Sequence, residues 1–128
     1  DGIVVGTGNK VEDFGVVFYT KYGDGGVDIS PIADLYKSEV WEMARELSID
    51  QRIIDAKPTD GLWDDGRVDE DQLNGMGYKE LEECMKLVEA QDVYDVLEED
   101  EVAKVDKYNE IRSRNLHKMN PIPMFSKS

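Results

Sequence analysis

Two glycine-containing turns and the charged residues beside them have the composition of a polyphosphate-binding site. The first turn, residues 6–8, follows an apolar run, and its glycines let backbone amides approach an anion closely. Glu12 follows on the first turn of a predicted helix. A carboxylate beside a phosphate is repelled unless a divalent cation lies between them, so Glu12 predicts a magnesium ligand. The second turn, residues 22–26, is flanked by Lys21 and Asp28, which supply a cation and a hydrogen-bond acceptor.

These turns belong to an ordered series of residues that extends over nearly the whole chain. The series contains GTGNKVE at 6–12, FYTKYGDGGVD at 18–28, Leu35 with Lys37, KPT at 57–59, Leu62, Asp69 with Glu70, Leu73, Gly75, Tyr78, His117 with Lys118, and Pro121. In this order it resembles the C-terminal half of NAD synthetases, ATP-dependent amidases that convert nicotinic acid adenine dinucleotide (deamido-NAD) to NAD. A single Gly-x-Gly is a weak signal of such a site, whereas the ordered series is specific.

The resemblance implies a two-step reaction and a set of ligands. The nicotinate carboxylate attacks the α-phosphorus of ATP and expels pyrophosphate, and ammonia then displaces AMP from the adenylated intermediate. The implied ligands are deamido-NAD, ATP, ammonia and Mg²⁺, and the implied assembly is a cytoplasmic homodimer. All assigned residues are expected to bind rather than to act as catalysts. The matching positions are Thr7, Lys37 and Thr59 for ATP, Glu12 for magnesium, and Lys21, Asp28, His117 and Lys118 for deamido-NAD.

Three departures from the family pattern bear on this expectation. The wider group of ATP pyrophosphatases holds pyrophosphate on a Ser-Gly-Gly-x-Asp-Ser loop, and this sequence contains no such loop. Asn74 is an additional residue within the usual Leu-Gly-x-x-Tyr stretch, and Thr59-Asp60-Gly61 replaces a more common Ser-Ala-like sequence. We therefore expect residues 1–128 to be the C-terminal portion of a single NAD synthetase domain, missing an N-terminal half and inactive alone.

Each assigned residue also has an ordinary structural interpretation. Thr7 or Asn9 suits the cap of a helix, and Glu12 suits a solvated first-turn glutamate favoured by the helix dipole. Lys21 and Asp28 could form a surface ion pair worth under about 1 kcal/mol. The others have equally ordinary roles on an exposed helix face, in a turn or at a helix end: Lys37, Thr59, His117 and Lys118.

Two other functions fit parts of the same pattern. Another ATP pyrophosphatase, such as a GMP synthetase or an RNA-thiolating enzyme, would share ATP binding, but the turn between Lys21 and Asp28 argues against it, as do His117 and Lys118. A truncated, non-catalytic homologue would act instead as a nucleotide-binding or dimerisation module. The sequence leaves the nitrogen source open between free ammonia and glutamine.

Charge and composition exclude several classes of protein. The net charge is −14, but residues 103–128 carry six Lys or Arg against two Asp or Glu, which leaves −18 on the rest. An acidic body repels nucleic-acid phosphates and argues against general nucleic-acid binding. No apolar run has the length needed to span a bilayer. The single cysteine, Cys84, excludes a disulfide scaffold, and 40% hydrophobic residues predict one globular domain.

The apolar pattern predicts both strands and helices. A short buried strand is expected at residues 2–5, and a second strand or an extended segment at 16–19. Helices are predicted over residues 10–13, 31–48, 78–90 and 98–116, and an extended connection over 53–54. Together with the resemblance, these elements predict an α/β fold. It is the edge of a doubly wound, Rossmann-like ATP-pyrophosphatase domain that is mostly helical in this portion.

Two glycine-rich segments are expected to have special backbone conformations. Residues 59–77 combine Gly and Asp with little periodicity and predict a long loop over the site. Their acidic residues lack the spacing of an EF-hand, so we expect a mobile lid with Trp63 as an apolar contact. In the second turn, Gly23, Gly25 and Gly26 are expected to adopt positive torsions or to permit close approach of another group.

Overall fold

The computed structural model describes residues 1–90 and 97–127, and the regular elements within them are helical. A π-helical turn, Val11–Gly15, comes first, and we call it the π-turn. A short 3-10 helix, Leu116–Lys118, comes last. Between them lie α1 (Lys37–Glu46), α2 (Gln51–Ile54), α3 (Asp69–Gln72), α4 (Tyr78–Glu89) and α5 (Glu99–Asn115).

The helix α4 forms because its apolar residues recur at helical spacing and its first turn is capped. Tyr78, Leu81 and Met85 share one buried face. The Glu80 carboxylate accepts a hydrogen bond from the Gly77 amide at 3.4 Å, where the helix dipole also favours an acidic group. The helix predicted over 78–90 is therefore confirmed.

The helix α5 likewise confirms the helix predicted over 98–116. The Glu101 carboxylate accepts a hydrogen bond from the Glu98 amide at 3.0 Å, which caps the first turn. Val105, Tyr108 and Ile111 are buried. Leu116, which the helical pattern places on the buried face, is 39% exposed. It lies beyond α5 in the 3-10 helix, where three residues per turn change the face that a side chain occupies.

The hydrophobic core lies between α4, α5 and the π-turn. Burying a large apolar side chain contributes about 1.5–3 kcal/mol, so this cluster is the main source of folding free energy. Its members are Val11, Val16, Leu73, Met76, Tyr78, Leu81, Cys84, Met85, Val105, Tyr108 and Ile111.

Side chains of α5 hold the carboxyl end of the π-turn. Arg112 Nη1 donates hydrogen bonds to the carbonyl oxygens of Phe14 and Gly15. Asn115 Nδ2 donates to the Val16 carbonyl oxygen at 3.2 Å. These bonds satisfy carbonyl groups that the end of a helix leaves without intrahelical partners. The π-turn, which carries Glu12, is thereby fixed to α5.

The prediction of a buried strand over residues 2–5 is wrong. Val5 forms one isolated parallel bridge with Ile29, and the Gly6 amide donates to the Ile29 carbonyl oxygen at 2.7 Å. Ile3 and Val4 are exposed. Within the described residues the apolar run has a pairing partner on one side only, over a few bonds, so it does not become a buried sheet strand.

Residues 16–19, predicted as a strand or an extended segment, do not form a strand, although Val16 and Val17 are buried. The backbone there closes the π-turn: the Phe18 amide donates to the Glu12 carbonyl oxygen at 2.8 Å. Val17 has a φ of 56°, in the left-handed region that a β-branched residue rarely adopts. Apolar content alone did not distinguish this buried turn from a strand.

The helix predicted from residue 31 begins six residues later, at Lys37. Residues 31–35 form turns instead, and the Leu35 carbonyl oxygen accepts a hydrogen bond from the Lys10 amide at 2.8 Å. The Glu39 carboxylate accepts from the Tyr36 amide at 2.7 Å and caps the helix there. Residues 53–54, expected to be extended, lie in α2, whose first turn Asp50 caps.

Truncating a core side chain of α4 tests this arrangement. Leu81 is 0% exposed, so we expect Leu81→Ala to lower the free energy of unfolding by about 2–5 kcal/mol through lost burial and a cavity. The matched control is Leu62→Ala, because Leu62 is 79% exposed; its effect is expected to stay within about 0.5 kcal/mol. Urea denaturation measures both. Equal losses for the two variants would contradict a core built on α4.

Candidate functional site

Glu12 is held in place by a reciprocal cap at the start of the π-turn. The buried Asn9 side chain accepts hydrogen bonds from the amides of Val11 and Glu12, at 3.0 and 3.2 Å. In return the Glu12 Oε2 atom accepts from the Asn9 amide at 3.1 Å. This is the arrangement of a capping box, so Asn9 has the cap role that the sequence suggested for it. It fixes the rotamer of Glu12 before any ligand is considered.

The other oxygen of Glu12 meets side chains from two different helices. Glu12 Oε1 lies 3.6 Å from the Lys37 ammonium on α1. It also accepts a hydrogen bond from the Tyr78 hydroxyl on α4 at 2.6 Å. The side chains of Glu12 and Lys37 are only 18% and 20% exposed, so Glu12 is not the solvated glutamate of the alternative interpretation. An ion pair with this much burial is less screened than a surface pair.

Tyr78 forms the floor beneath this pair. Its ring contacts Trp41 edge to face with centroids 6.4 Å apart, and the Lys37 ammonium lies 4.9 Å from its centroid. Burial raises the pKa of the Tyr78 hydroxyl far above its ordinary value, and the Glu12 carboxylate raises it further. The hydroxyl therefore stays protonated and acts as a donor. A second carboxylate oxygen, Asp69 Oδ2, lies 3.2 Å from it.

Lys37 is positioned by the contact between α1 and α4. The buried Glu82 carboxylate on α4 accepts hydrogen bonds from the Ser38 amide and the Ser38 hydroxyl, both at 2.7 Å. A carboxylate at a helix N-terminus satisfies orphan amides and interacts favourably with the helix dipole. The start of α1 is therefore tied to α4, which directs the adjacent Lys37 toward Glu12.

A cavity of about 310 Å³ is lined in part by Asp13 and Phe14 of the π-turn. Lys118 lines it and donates a hydrogen bond to the Val17 carbonyl oxygen at 3.1 Å. Burial lowers the pKa of Lys118, against an opposing effect of Asp24. Burial raises the pKa of Asp13, with Glu12 and Asp24 adding to it. The lining includes Gly6, Gly8, Asp13, Tyr19, Asp24 and Lys118.

A neighbouring cavity of about 570 Å³ joins this region to the loop at residues 59–77. Tyr19, Asp24 and Lys118 line both cavities, and Trp63 of the loop lines the second. Trp63 also stacks against a charged group, because the Arg67 guanidinium lies 4.1 Å from its ring centroid. The loop contains the short helix α3, and its glycines with positive φ are Gly61, Gly66 and Gly75.

The structure brings some of the sequence-predicted residues together and leaves others apart. Glu12 and Lys37 are in direct contact, whereas Lys118 lies at the cavities. Lys21 and Asp28 are not paired with each other: the Lys21 ammonium donates to the Asn120 carbonyl oxygen, and Asp28 Oδ2 accepts from the Val4 amide at 2.7 Å.

Three further predicted residues lie at the surface. Thr7 is exposed in the first glycine turn. The Thr59 hydroxyl donates to the Arg67 carbonyl oxygen at 3.2 Å and accepts from the Gly61 amide at 3.1 Å, as in a turn. His117 Nδ1 lies 3.0 Å from the Arg114 carbonyl oxygen at the end of α5. These contacts are local, and the interpretation of each as a ligand-binding residue stays a prediction.

Sequence reasoning missed the positioning roles of Tyr78, Asp69 and Glu82. Tyr78 was counted as an apolar residue of α4, and Asp69 as one member of an acidic run. Glu82 resembles any helix glutamate in the sequence. Their roles depend on contacts between distant segments, and helical periodicity gives no signal for such contacts.

Close approach at Gly25 is confirmed, while the alternative expectation of positive torsions in the second turn is wrong: among the described residues the glycines with positive φ all lie in the 59–77 loop. A Cβ atom at Gly25 would lie 2.4 Å from Tyr19 Cδ2. We expect Gly25→Ala to lower the free energy of unfolding by about 1–3 kcal/mol, because the ring must shift.

The control is Gly77→Ala, where a Cβ atom meets nothing within 4 Å. We expect no loss there, since φ is −75° at Gly77 and alanine adopts that torsion readily. Thermal unfolding of the two variants measures the difference. Equal stability for both variants would contradict the packing of Tyr19 against the turn.

Comparison with known proteins identifies the family of this chain. The family model for NAD synthase matches residues 1–122. The chain is 44% identical over 120 residues to the NH(3)-dependent NAD(+) synthetase of Archaeoglobus fulgidus, which covers 94% of this chain and 46% of that protein. It is 39% identical over 125 residues to the enzyme of the same name from Methanosarcina acetivorans. That match covers 95% of this chain and 48% of the relative. The chain thus spans about half the length of the curated relatives it matches.

Solved structures show the same relationship. The NMN synthetase from Francisella tularensis superposes with a TM-score of 0.76 at 30% identity, over 98% of this chain and 47% of that one. An NH3-dependent NAD synthetase from Campylobacter jejuni, solved with a nitrate ion, superposes with a TM-score of 0.67 at 21% identity. The match covers 98% of this chain and 45% of that one, and it shows a shared fold. None of the helices in residues 1–90 and 97–127 has the length and apolarity to cross a membrane. With a family match over residues 1–122, the chain belongs to the NAD synthase family.

Proposed function

We propose that residues 1–128 form the C-terminal portion of an ammonia-dependent NAD synthetase domain. The complete domain would be a doubly wound, Rossmann-like α/β fold that amidates deamido-NAD to NAD through an adenylated intermediate, releasing AMP and pyrophosphate. The observation that carries the proposal is the contact between Glu12 and Lys37. The resemblance assigns one to magnesium and the other to ATP, and the fold brings both to the same place.

The chemistry requires charge neutralisation and positioning more than covalent help. A free carboxylate is a poor acyl donor, and its adenylation needs a triphosphate whose negative charge is screened. Lys37 supplies an ammonium that is held by α1 and partly shielded from water. Glu12 supplies a carboxylate whose rotamer is fixed by Asn9. In this proposal Thr7 and Thr59 contribute hydroxyl groups to the same nucleotide.

The donor set around Glu12 fits magnesium. Mg²⁺ is usually bound by one or two carboxylates together with substrate phosphates and water. Within residues 1–90 and 97–127 there is no group of three or more His, Cys, Asp or Glu side chains that could hold a metal. A site completed by phosphate oxygens agrees with that limit. Bound there, magnesium would screen the phosphate charge during adenylation.

The two cavities that share Tyr19, Asp24 and Lys118 are the proposed site for deamido-NAD. Lys118 lines both of them, and its ammonium could oppose the negative charge of the dinucleotide. Lys21, Asp28 and His117 complete the proposed set, as the resemblance implies. The water-poor position of Lys118, which lowers its pKa, would strengthen its interaction with an anion.

Two wider parts of the proposal concern assembly and location. We propose a homodimer, which the resemblance implies and which the exposed apolar side chains of Leu47 and Ile53 support. A cytoplasmic location follows from the resemblance as well.

A second candidate substrate is nicotinic acid mononucleotide. The structural match to an NMN synthetase, at 30% identity and a TM-score of 0.76, favours considering it. It would use the same ATP and magnesium residues, and would differ only in how much of the deamido-NAD site is occupied. GMP synthetase activity and a non-catalytic nucleotide-binding or dimerisation module are the remaining alternatives.

An activity assay of the chain, alone and in a fusion, tests the proposal. The 128-residue chain alone is expected to form no NAD from deamido-NAD, ATP, magnesium and ammonia, because it has no Ser-Gly-Gly-x-Asp-Ser pyrophosphate loop. Placed behind the N-terminal half of the Archaeoglobus fulgidus relative, it is expected to form NAD, AMP and pyrophosphate. Turnover by the chain alone would show that the site is not incomplete.

The same fusion separates the alternative functions. Preference for nicotinic acid mononucleotide over deamido-NAD would assign an NMN synthetase, and amidation of xanthosine monophosphate a GMP synthetase. A folded fusion that binds ATP but converts none of the three substrates would leave the non-catalytic module.

The metal role of Glu12 is tested by Glu12→Gln in the fusion. The amide keeps the size of the side chain but loses its charge, so we expect the magnesium concentration for half-maximal rate to rise at least about tenfold, a change of about 1.4 kcal/mol. The control is Glu46→Gln, an exposed glutamate at the end of α1. An unchanged magnesium titration in Glu12→Gln would remove Glu12 from this role.

A further inference from the structure

Asp69, the first residue of α3, has an unusual environment for a carboxylate. It is only 8% exposed, and its Oδ1 atom is buried without a hydrogen-bond partner among the residues that the structure describes. Its backbone amide donates to the Pro58 carbonyl oxygen at 3.0 Å, which fixes its position in the loop. A buried carboxylate oxygen without a donor costs free energy, so this atom points to a partner that residues 1–90 and 97–127 do not supply.

The other oxygen of Asp69 is hardly better satisfied. Oδ2 lies 3.2 Å from the Tyr78 hydroxyl, but the same hydroxyl lies 2.6 Å from Glu12 Oε1. A tyrosine hydroxyl has one proton, and the shorter contact directs it to Glu12. Two carboxylates from separate segments therefore converge on one donor.

The charges around this pair do not balance. Lys37 forms an ion pair with Glu12, and none of the ion pairs within residues 1–90 and 97–127 includes Asp69. Two carboxylates and one ammonium leave a net charge of −1, and Asp60 lies close enough to add to the negative potential at Asp69. Such an excess in a partly buried cluster is costly unless another cation joins it.

We propose that Asp69 is a second carboxylate of the cation site, beside Glu12, and that the Tyr78 hydroxyl positions the two. The proposal rests on the proposed function, because that function places a divalent cation at Glu12. The ligand is a hard divalent cation that arrives with the phosphates of a nucleotide. Two carboxylates with phosphate oxygens are a usual magnesium environment, and the unpartnered Oδ1 atom is available as a ligand.

The position of Asp69 in the loop gives this site a second property. α3 lies within residues 59–77, the segment expected to cover the site, whereas Glu12 lies on the π-turn. A cation that both carboxylates bind would tie the loop to the π-turn. Loop closure and metal binding would then depend on each other.

Terbium(III) luminescence on the 128-residue chain tests the proposal without any turnover. Terbium(III) is a hard cation that prefers oxygen ligands, and nearby aromatic rings sensitise its emission; here Tyr78 and Trp41 are adjacent to the site. We expect the chain to bind terbium(III) with sensitised emission that magnesium displaces. Asp69→Asn and Glu12→Gln are each expected to weaken binding at least tenfold. The matched control, Glu70→Gln, removes one exposed charge from the same helix and is expected to leave binding unchanged.

Thermal unfolding separates a metal ligand from a structural carboxylate. Asparagine keeps the shape of Asp69, and its oxygen can accept from Tyr78, so Asp69→Asn without metal is expected to unfold at the same or a higher temperature. The stabilisation that terbium(III) gives the wild-type chain should be lost in this variant. Tyr78→Phe retains both carboxylates and the ring, and is expected to weaken binding by less than Asp69→Asn does.

The unaltered chain provides a check that needs no variant. Manganese(II) should broaden the carboxyl ¹³C signals of Glu12 and Asp69 at concentrations that leave Glu70 sharp. Terbium(III) binding by Asp69→Asn equal to wild type, or broadening of Glu12 without Asp69, would overturn the role of Asp69 and leave that of Glu12 standing. Absence of magnesium-displaced binding in the wild-type chain would overturn the site itself. Binding that needs both carboxylates in a fusion that makes no NAD would overturn only the proposed function.

Discussion

The hydrogen bond between the Tyr78 hydroxyl and the Glu12 carboxylate joins the parts of this chain that matter for chemistry. Tyr78 begins α4, whose apolar face forms the core with α5, and Glu12 lies on the π-turn that α5 clamps. The bond therefore links the helix α4, which carries five buried residues, to the residue proposed as the magnesium ligand. Charged side chains also gather in this partly buried place. Lys37 pairs with Glu12, and Asp69 Oδ2 lies beside the Tyr78 hydroxyl. The candidate site is a consequence of how the core is packed.

The helix α4 does more than fill the core. Its first residue supplies the hydroxyl at the site, and one turn later the buried Glu82 carboxylate holds the start of α1 through Ser38. A buried carboxylate is tolerated there because two donors at the start of α1 satisfy it, and the helix dipole at that end also favours negative charge. The helix α4 thereby positions both members of the ion pair. It holds Glu12 through the Tyr78 hydroxyl and Lys37 through the start of α1. Both side chains are attached to rigid elements, which suits a reaction that depends on orientation.

The sequence was most informative where local rules decide the structure. The helices α4 and α5 were predictable because their apolar spacing and their glutamate caps agree, and the helical turn that carries Glu12 was predictable from the glycine turn before it. The conformation of residues 16–19 was predicted wrongly because a buried apolar run is typical of both a strand and a tight turn. The turn is held by hydrogen bonds that Asn115 and Lys118 donate to the carbonyl oxygens of Val16 and Val17. α1 begins at Lys37 because Glu39 and Glu82 cap it there, and Glu82 is more than forty residues away in the chain. No pattern in the sequence expresses such a contact.

The position of Asp69 is well defined, although its Oδ1 atom lacks a hydrogen-bond partner among the described residues. The hydrogen bond from its amide to the Pro58 carbonyl oxygen and the hydrogen bonds of α3 fix its backbone, and its side chain is buried. Its cost is then borne by the packing of α4 and α5, which stabilises the fold by more than one unpaired oxygen removes. A cation that satisfied this oxygen would recover that cost on binding, and the recovered free energy would appear as affinity. A carboxylate held without a partner by a rigid core is therefore a means of storing binding free energy in the folded chain.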